Sequence, residues 1–129
     1  MRTQKKWMIA AVAGLALGLS LHAGDADHEA IEKAMKDFHK APKGVDPVCK
    51  KALQGTATKE EWKGLLEGYK AMAKVKNPPK GDAASWKEKT GKLLAAAQAL
   101  HKAPTSQEAA AAYKQAVDCK ACHSAHKPD

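Results

Sequence analysis

The stretch Thr58–Lys74, TKEEWKGLLEGYKAMAK, decides the fold class. Thr58 and Glu61 stand at the spacing of a capping box. There, hydroxyl and carboxylate each take up a backbone N–H that the first helical turn leaves unpaired. Trp62, Leu65, Leu66, Tyr69 and Ala73 then recur at three- and four-residue intervals, which is one face of a helix. Asn77-Pro78-Pro79-Lys80-Gly81 stops it. The segment predicts an amphipathic helix.

Its neighbours read the same way. Upstream, a helix from about Asp25 or Asp27 to Lys40 carries Ile31, Met35 and Phe38 on one face and ends at Pro42 and Gly44. A short helix is expected from Pro47 to Gln54, with Asp46 as its cap and Pro47 in the first turn. Downstream, a helix starting near Asp82 carries Trp86, Leu93, Leu94, Ala97 and Leu100 and ends before Pro104. The last helix starts on a second capping-box match, Thr105 to Glu108. Its stripe of Ala109, Tyr113 and Ala116 is expected to run on through Cys119 to His123. Nothing alternates with a period of two, so the chain is all-α, and four helices joined by short loops predict an antiparallel four-helix bundle.

Residues 1–23 read as a cleaved signal peptide. Arg2, Lys5 and Lys6 form a basic start, Met8 to Leu21 an apolar run, and Leu21-His22-Ala23 offers a cleavage point. The run is short for a membrane span. The expectation is export, to the periplasm or otherwise out of a bacterial cytoplasm, as a single domain, 24–129, with no stable span after cleavage. Losing the three leader cations takes the formal charge of the 129-residue chain from +8 to +5. The remaining lysines are scattered along helices, the pattern of a solvated surface, which argues against nucleic-acid binding. A basic face instead suits encounter with an acidic redox partner.

Cys119-Lys120-Ala121-Cys122-His123 is a CxxCH pattern, the attachment site of a c-type haem. On a helix its two thiols and its imidazole share one face. Each thiol can add to one haem vinyl group while His123 reaches the iron, so one covalent haem c is expected. Two other chemistries use paired cysteines. A structural zinc site needs four closed ligands, and no second cysteine pair is present. A redox dithiol belongs at the start of a helix, where the thiolate is stabilised. Here the motif is expected to close a helix. Of the three cysteines, Cys49 is left over. It reads as a small buried hydrophobe beside Val48 and Leu53, with an interchain disulfide or a reactive thiol as the alternative.

A CxxCH at the end of the fourth helix of an exported bundle resembles the class II cytochromes c, the cytochrome c-prime proteins and their low-spin relatives. The resemblance covers nearly the whole of 24–129 in architecture, with its specific content in Cys119, Cys122 and His123. It implies His123 as proximal iron ligand and a first-helix residue on the opposite face, where Met35 stands. Lys127 resembles the basic residue that commonly follows the family's motif. Ile31 departs from the family, which often has an arginine one turn before this methionine. The implied function is one-electron transfer between redox partner proteins. The alternative is a five-coordinate protein that binds nitric oxide or carbon monoxide, which requires Met35 to stay off the iron. Relatives often pair as homodimers through their first two helices; the lysine-rich surface here shows no clear apolar patch for that.

His39, one turn beyond Met35, is the rival distal ligand, and it would lower the potential relative to a thioether. Met72 reads as core. His28 reads as a solvated first-turn residue and His101 as a complement to a helix C-terminus. His126 is expected to be exposed, and His22 to leave with the leader. Trp62, Tyr69, Trp86, Tyr113 and Phe38 are core candidates, with Trp86 and Tyr113 placed to reach a haem edge. No constellation of acid, base and nucleophile is evident, so a carrier rather than an enzyme is expected.

Overall fold

The computed structural model describes residues 23–128; the expected leader, up to and including His22, lies outside the described residues. Every regular element among them is helical: α1 (Ala23–Ala34), α2 (Val48–Gln54), α3 (Lys59–Lys74), α4 (Ala83–Lys102), α5 (Gln107–Ala116) and α6 (Cys119–His126). The all-α expectation holds. A π-helical turn, Met35–His39, continues α1 directly before Lys40 leaves in an extended conformation. Such wide turns are rare and concentrate at functional sites.

The capping chemistry shows why the helices begin where they do. Thr58 Oγ1 accepts from the Glu61 N–H and Glu61 Oε1 accepts from the Thr58 N–H, both at 3.1 Å, so the box at the head of α3 is complete. Asp82 caps α4 through the Ala84 N–H at 3.3 Å. Two expectations are corrected. Asp46 does not cap α2, whose cap position is Pro47; its carboxylate pairs with Lys50 at 2.7 Å. Ser106, not Thr105, caps α5, accepting from the Ala109 N–H at 3.1 Å.

The larger correction concerns the last helix, which is two. α5 stops at Ala116, Val117 turns the chain at φ −83° and ψ 45°, and Asp118 starts α6 by accepting from the Ala121 N–H at 3.0 Å. A short acceptor side chain immediately before Cys119 gives the first-turn donors a partner, so the chain can restart its helix at a new angle. The CxxCH motif therefore opens a helix instead of closing one.

α1 packs on α3, α3 on α4 and α4 on α5, while α2 lies against the π turn, α3 and α5. Leu65, Tyr69, Ala97, Leu100 and Tyr113 are fully buried between them, with Trp62 and Trp86 nearly so. Burying Leu65 and Leu100 contributes roughly 1.5–3 kcal/mol each. The crossing of α1 with α3 is set by missing side chains: Phe38 lies over Gly64 and Gly68, and a Cβ on Gly68 would fall 2.7 Å from Phe38 Cε2. At the far end, Gly81 takes a left-handed φ of +84°, and a Cβ there would meet the Ala125 carbonyl oxygen at 2.3 Å. The loop after α3 is thus pressed against the C-terminal end of α6.

Candidate functional site

One cavity of about 910 Å³ gathers the residues that the sequence singles out. Ile31, Met35 and His39 line it from the first helix and its π turn, and Cys119, Cys122 and His123 line it from α6. Met72, at the end of α3, and Trp86 and Leu93, on α4, supply apolar wall between them. Its volume lies toward the upper end of the roughly 300–1,000 Å³ of small-molecule and cofactor pockets.

Trp86 is fixed in that wall. Its Nε1–H donates to the Met72 carbonyl at 3.0 Å, which also accepts from the Val75 N–H at the end of α3. Thr90 Oγ1 donates back to the Trp86 carbonyl at 2.8 Å. Tyr113 does not reach the cavity as expected of it. It is fully buried and turned onto Tyr69, hydroxyl to hydroxyl at 2.6 Å. Tyr69 is in turn 2.9 Å from His39 Nε2.

His39 lies on the cavity wall and is half-buried. Burial first, and electrostatic interaction with the His123 side chain second, push its pKa down to about 4, so the imidazole is neutral at physiological pH. Burial also pushes both tyrosines well above the usual phenol range. The Cys122 thiol is raised, by burial first, with Lys89 opposing the shift.

The other histidines stand partly where the sequence predicts. His126 is 3 % exposed instead of free at a fraying end. Its ring stands edge-on to Trp86, with Nδ1 2.9 Å from the Lys80 carbonyl and Nε2 3.2 Å from Ser85 Oγ. His28 lines the cavity and pairs with Glu32 at 2.9 Å. His101 is at the end of α4 as expected, exposed, its ring 5.1 Å from that of Trp62. Met72 is core, as expected, yet also touches the cavity.

The arrangement fits a haem. Apolar walls suit the macrocycle, and Lys36, Lys40, Lys89, Lys92 and Lys127 also line the cavity, a cationic set for acidic substituents. An iron in such a ring asks the protein for axial donors only, which His123 on one wall and Met35 or His39 on another can supply. Zinc is less well served: among the described residues no three His, Cys, Asp or Glu side chains converge as a metal cluster. Helix position no longer opposes a redox dithiol, since Cys119 begins α6. Cys49 is half-buried on α2, and all three cysteines are free thiols. Among the described residues no helix is long and apolar enough to cross a membrane.

No family model matches this chain, and no curated protein or solved structure shows significant similarity to it.

Proposed function

We propose that the chain is an exported, class II-like c-type cytochrome: a four-helix bundle of α1, α3, α4 and the α5–α6 pair, carrying one electron between redox proteins in the periplasm. The observation that carries this reading is the shared cavity, walled by all three chemical groups of the CxxCH motif and, from the first helix, by Met35. Bound haem supplies an iron that takes up and releases one electron. Cys119 and Cys122 would hold it covalently, His123 would be its proximal ligand and Met35 its distal one. A thioether favours the reduced iron and raises the potential.

The remaining cavity residues set the conditions for transfer. Trp86, Leu93 and Met72 give the cavity an apolar wall, which would keep reorganisation small between oxidation states. The lysines beside the cavity offer a cationic approach for an acidic partner protein. The role in this reading is that of a carrier.

An optical spectrum tests the ligand set. A low-spin ferric spectrum with the weak far-red band of methionine coordination is expected, and Met35→Ala should convert it to a high-spin one. A high-spin spectrum in the unmutated protein, with ready carbon monoxide binding after reduction, would support the five-coordinate gas-binding reading. A low-spin spectrum unchanged by Met35→Ala would assign the distal position to His39.

A further inference from the structure

Met35 and His39 line the same wall, and either could serve an iron held opposite them. We propose that Tyr69 and Tyr113 select between them: the two tyrosines hold the His39 imidazole as a hydrogen-bond acceptor, off the iron, and leave the distal position to Met35. The inference rests on the haem reading of this cavity and adds to it two residues that do not line the cavity.

The chain of contacts is short, and its Tyr69–Tyr113 link is buried. Tyr113 Oη lies 2.6 Å from Tyr69 Oη, and Tyr69 Oη lies 2.9 Å from His39 Nε2. Both tyrosines are 0 % exposed, one on α3 and one on α5, so their hydroxyls are fixed by the core of the bundle. Each phenol has one proton to give. Among the described residues Tyr69 is the one hydrogen-bond partner of the Tyr113 hydroxyl. If Tyr69 gave its proton to Tyr113, the Tyr113 proton would be buried without an acceptor, at a cost of about 1–3 kcal/mol. The opposite order satisfies both: Tyr113 donates to Tyr69, and Tyr69 donates to His39 Nε2.

That order fixes the imidazole. Nε2 is the acceptor, so Nδ1 carries the proton of the neutral ring. Imidazole binds a metal through an unprotonated nitrogen. One ring nitrogen is engaged by Tyr69 and the other is protonated, so ligation by His39 would strand a buried phenolic proton. Met35 has no such competing bond, because a thioether is only a weak acceptor. Removing the Tyr69 hydroxyl should therefore release His39 as a ligand.

The test is a set of variants of the full-length, exported holoprotein. Tyr69→Phe keeps the ring and deletes the donor. The expected result is loss of most of the far-red methionine band and a low-spin spectrum of bis-histidine type in its place. Adding His39→Ala in that background should restore the band. Tyr113→Phe, which leaves the Tyr69–His39 bond in reach, should cause a smaller loss. Nitrogen NMR of the unmutated ferrous protein should show His39 neutral and protonated on Nδ1. A methionine band at full strength in Tyr69→Phe, or His39 protonated on Nε2, overturns the selection. If Tyr69→Phe does not fold, the tautomer measurement on the unmutated protein decides. A protein without covalent haem would defeat the cytochrome reading itself; a haem protein whose band ignores Tyr69 would defeat only this inference.

Discussion

Nδ1 of His126 lies 2.9 Å from the carbonyl oxygen of Lys80, tying the end of the CxxCH helix to the loop between α3 and α4. The carbonyl can only accept, so Nδ1 carries a proton and donates it, while Nε2 lies 3.2 Å from Ser85 Oγ. Ser85 Oγ in turn accepts from Lys89 Nζ at 2.9 Å. α6 is a short helix, and this clamp, with the close seat at Gly81, fixes its far end.

Loss of the clamp should be measurable as stability. His126→Ala removes both bonds and leaves a gap beside Trp86, for an expected loss of about 1–3 kcal/mol. Gly81→Ala forces a side chain into a left-handed position against the backbone of Ala125, and should cost about as much. Urea denaturation should show a lower midpoint for both variants; midpoints equal to that of the unmutated protein would mean that the clamp does not hold α6.

Two glycine substitutions with the same helix propensity should differ in sign. Gly91 on α4 has open space around its would-be Cβ, so Gly91→Ala should gain about 0.5–1 kcal/mol. Gly68→Ala gains the same propensity term but drives a methyl into Phe38, and overpacking of this kind costs about 1–3 kcal/mol. A net loss is expected at Gly68. Paired thermal melts check it, and a stabilised Gly68→Ala would mean that Phe38 does not set the crossing of α1 with α3.

Glu61 predicts a feature of acid unfolding. Its carboxyl is held below the ordinary 4.5, first by its bond to Lys51 and then by the Thr58 N–H. A carboxyl with a lowered folded pKa contributes stability that is fully present above its unfolded pKa and lost as pH falls through the folded one. Stability should therefore decline below about pH 5, and Glu61→Gln should flatten part of that decline. Its cost at neutral pH should be no more than about 1 kcal/mol for the ion pair, because a glutamine amide oxygen still accepts from the Thr58 N–H. Denaturation midpoints across the acid range check the slope, and an unaltered slope in Glu61→Gln would contradict the assignment.

Much of the framework is legible in residue order because local chemistry determines it. Thr58 with Glu61, and Asp82, mark helix starts that the structure places at α3 and α4. The break before the CxxCH motif is hidden, because Ala116 and Cys119 keep helical spacing across it. Asp118, an acceptor directly before Cys119, is the one signal of it. The cavity-lining role of Cys119, Cys122, His123, Met35 and His39 is legible from the motif and one helical face. The contacts that refine the site are not. Tyr69 meets Tyr113 across 44 positions of sequence, and His126 meets Lys80 across 46. Side-chain patterns say that such residues are buried; only the packing of helices says against what.

The most direct measurement is the intact mass of the protein after export in a host that attaches haem to c-type cytochromes. The predicted product is the polypeptide without residues 1–23, plus one haem, with the addition lost in Cys119→Ser/Cys122→Ser. An exported polypeptide with the mass of the bare chain would contradict the cytochrome reading.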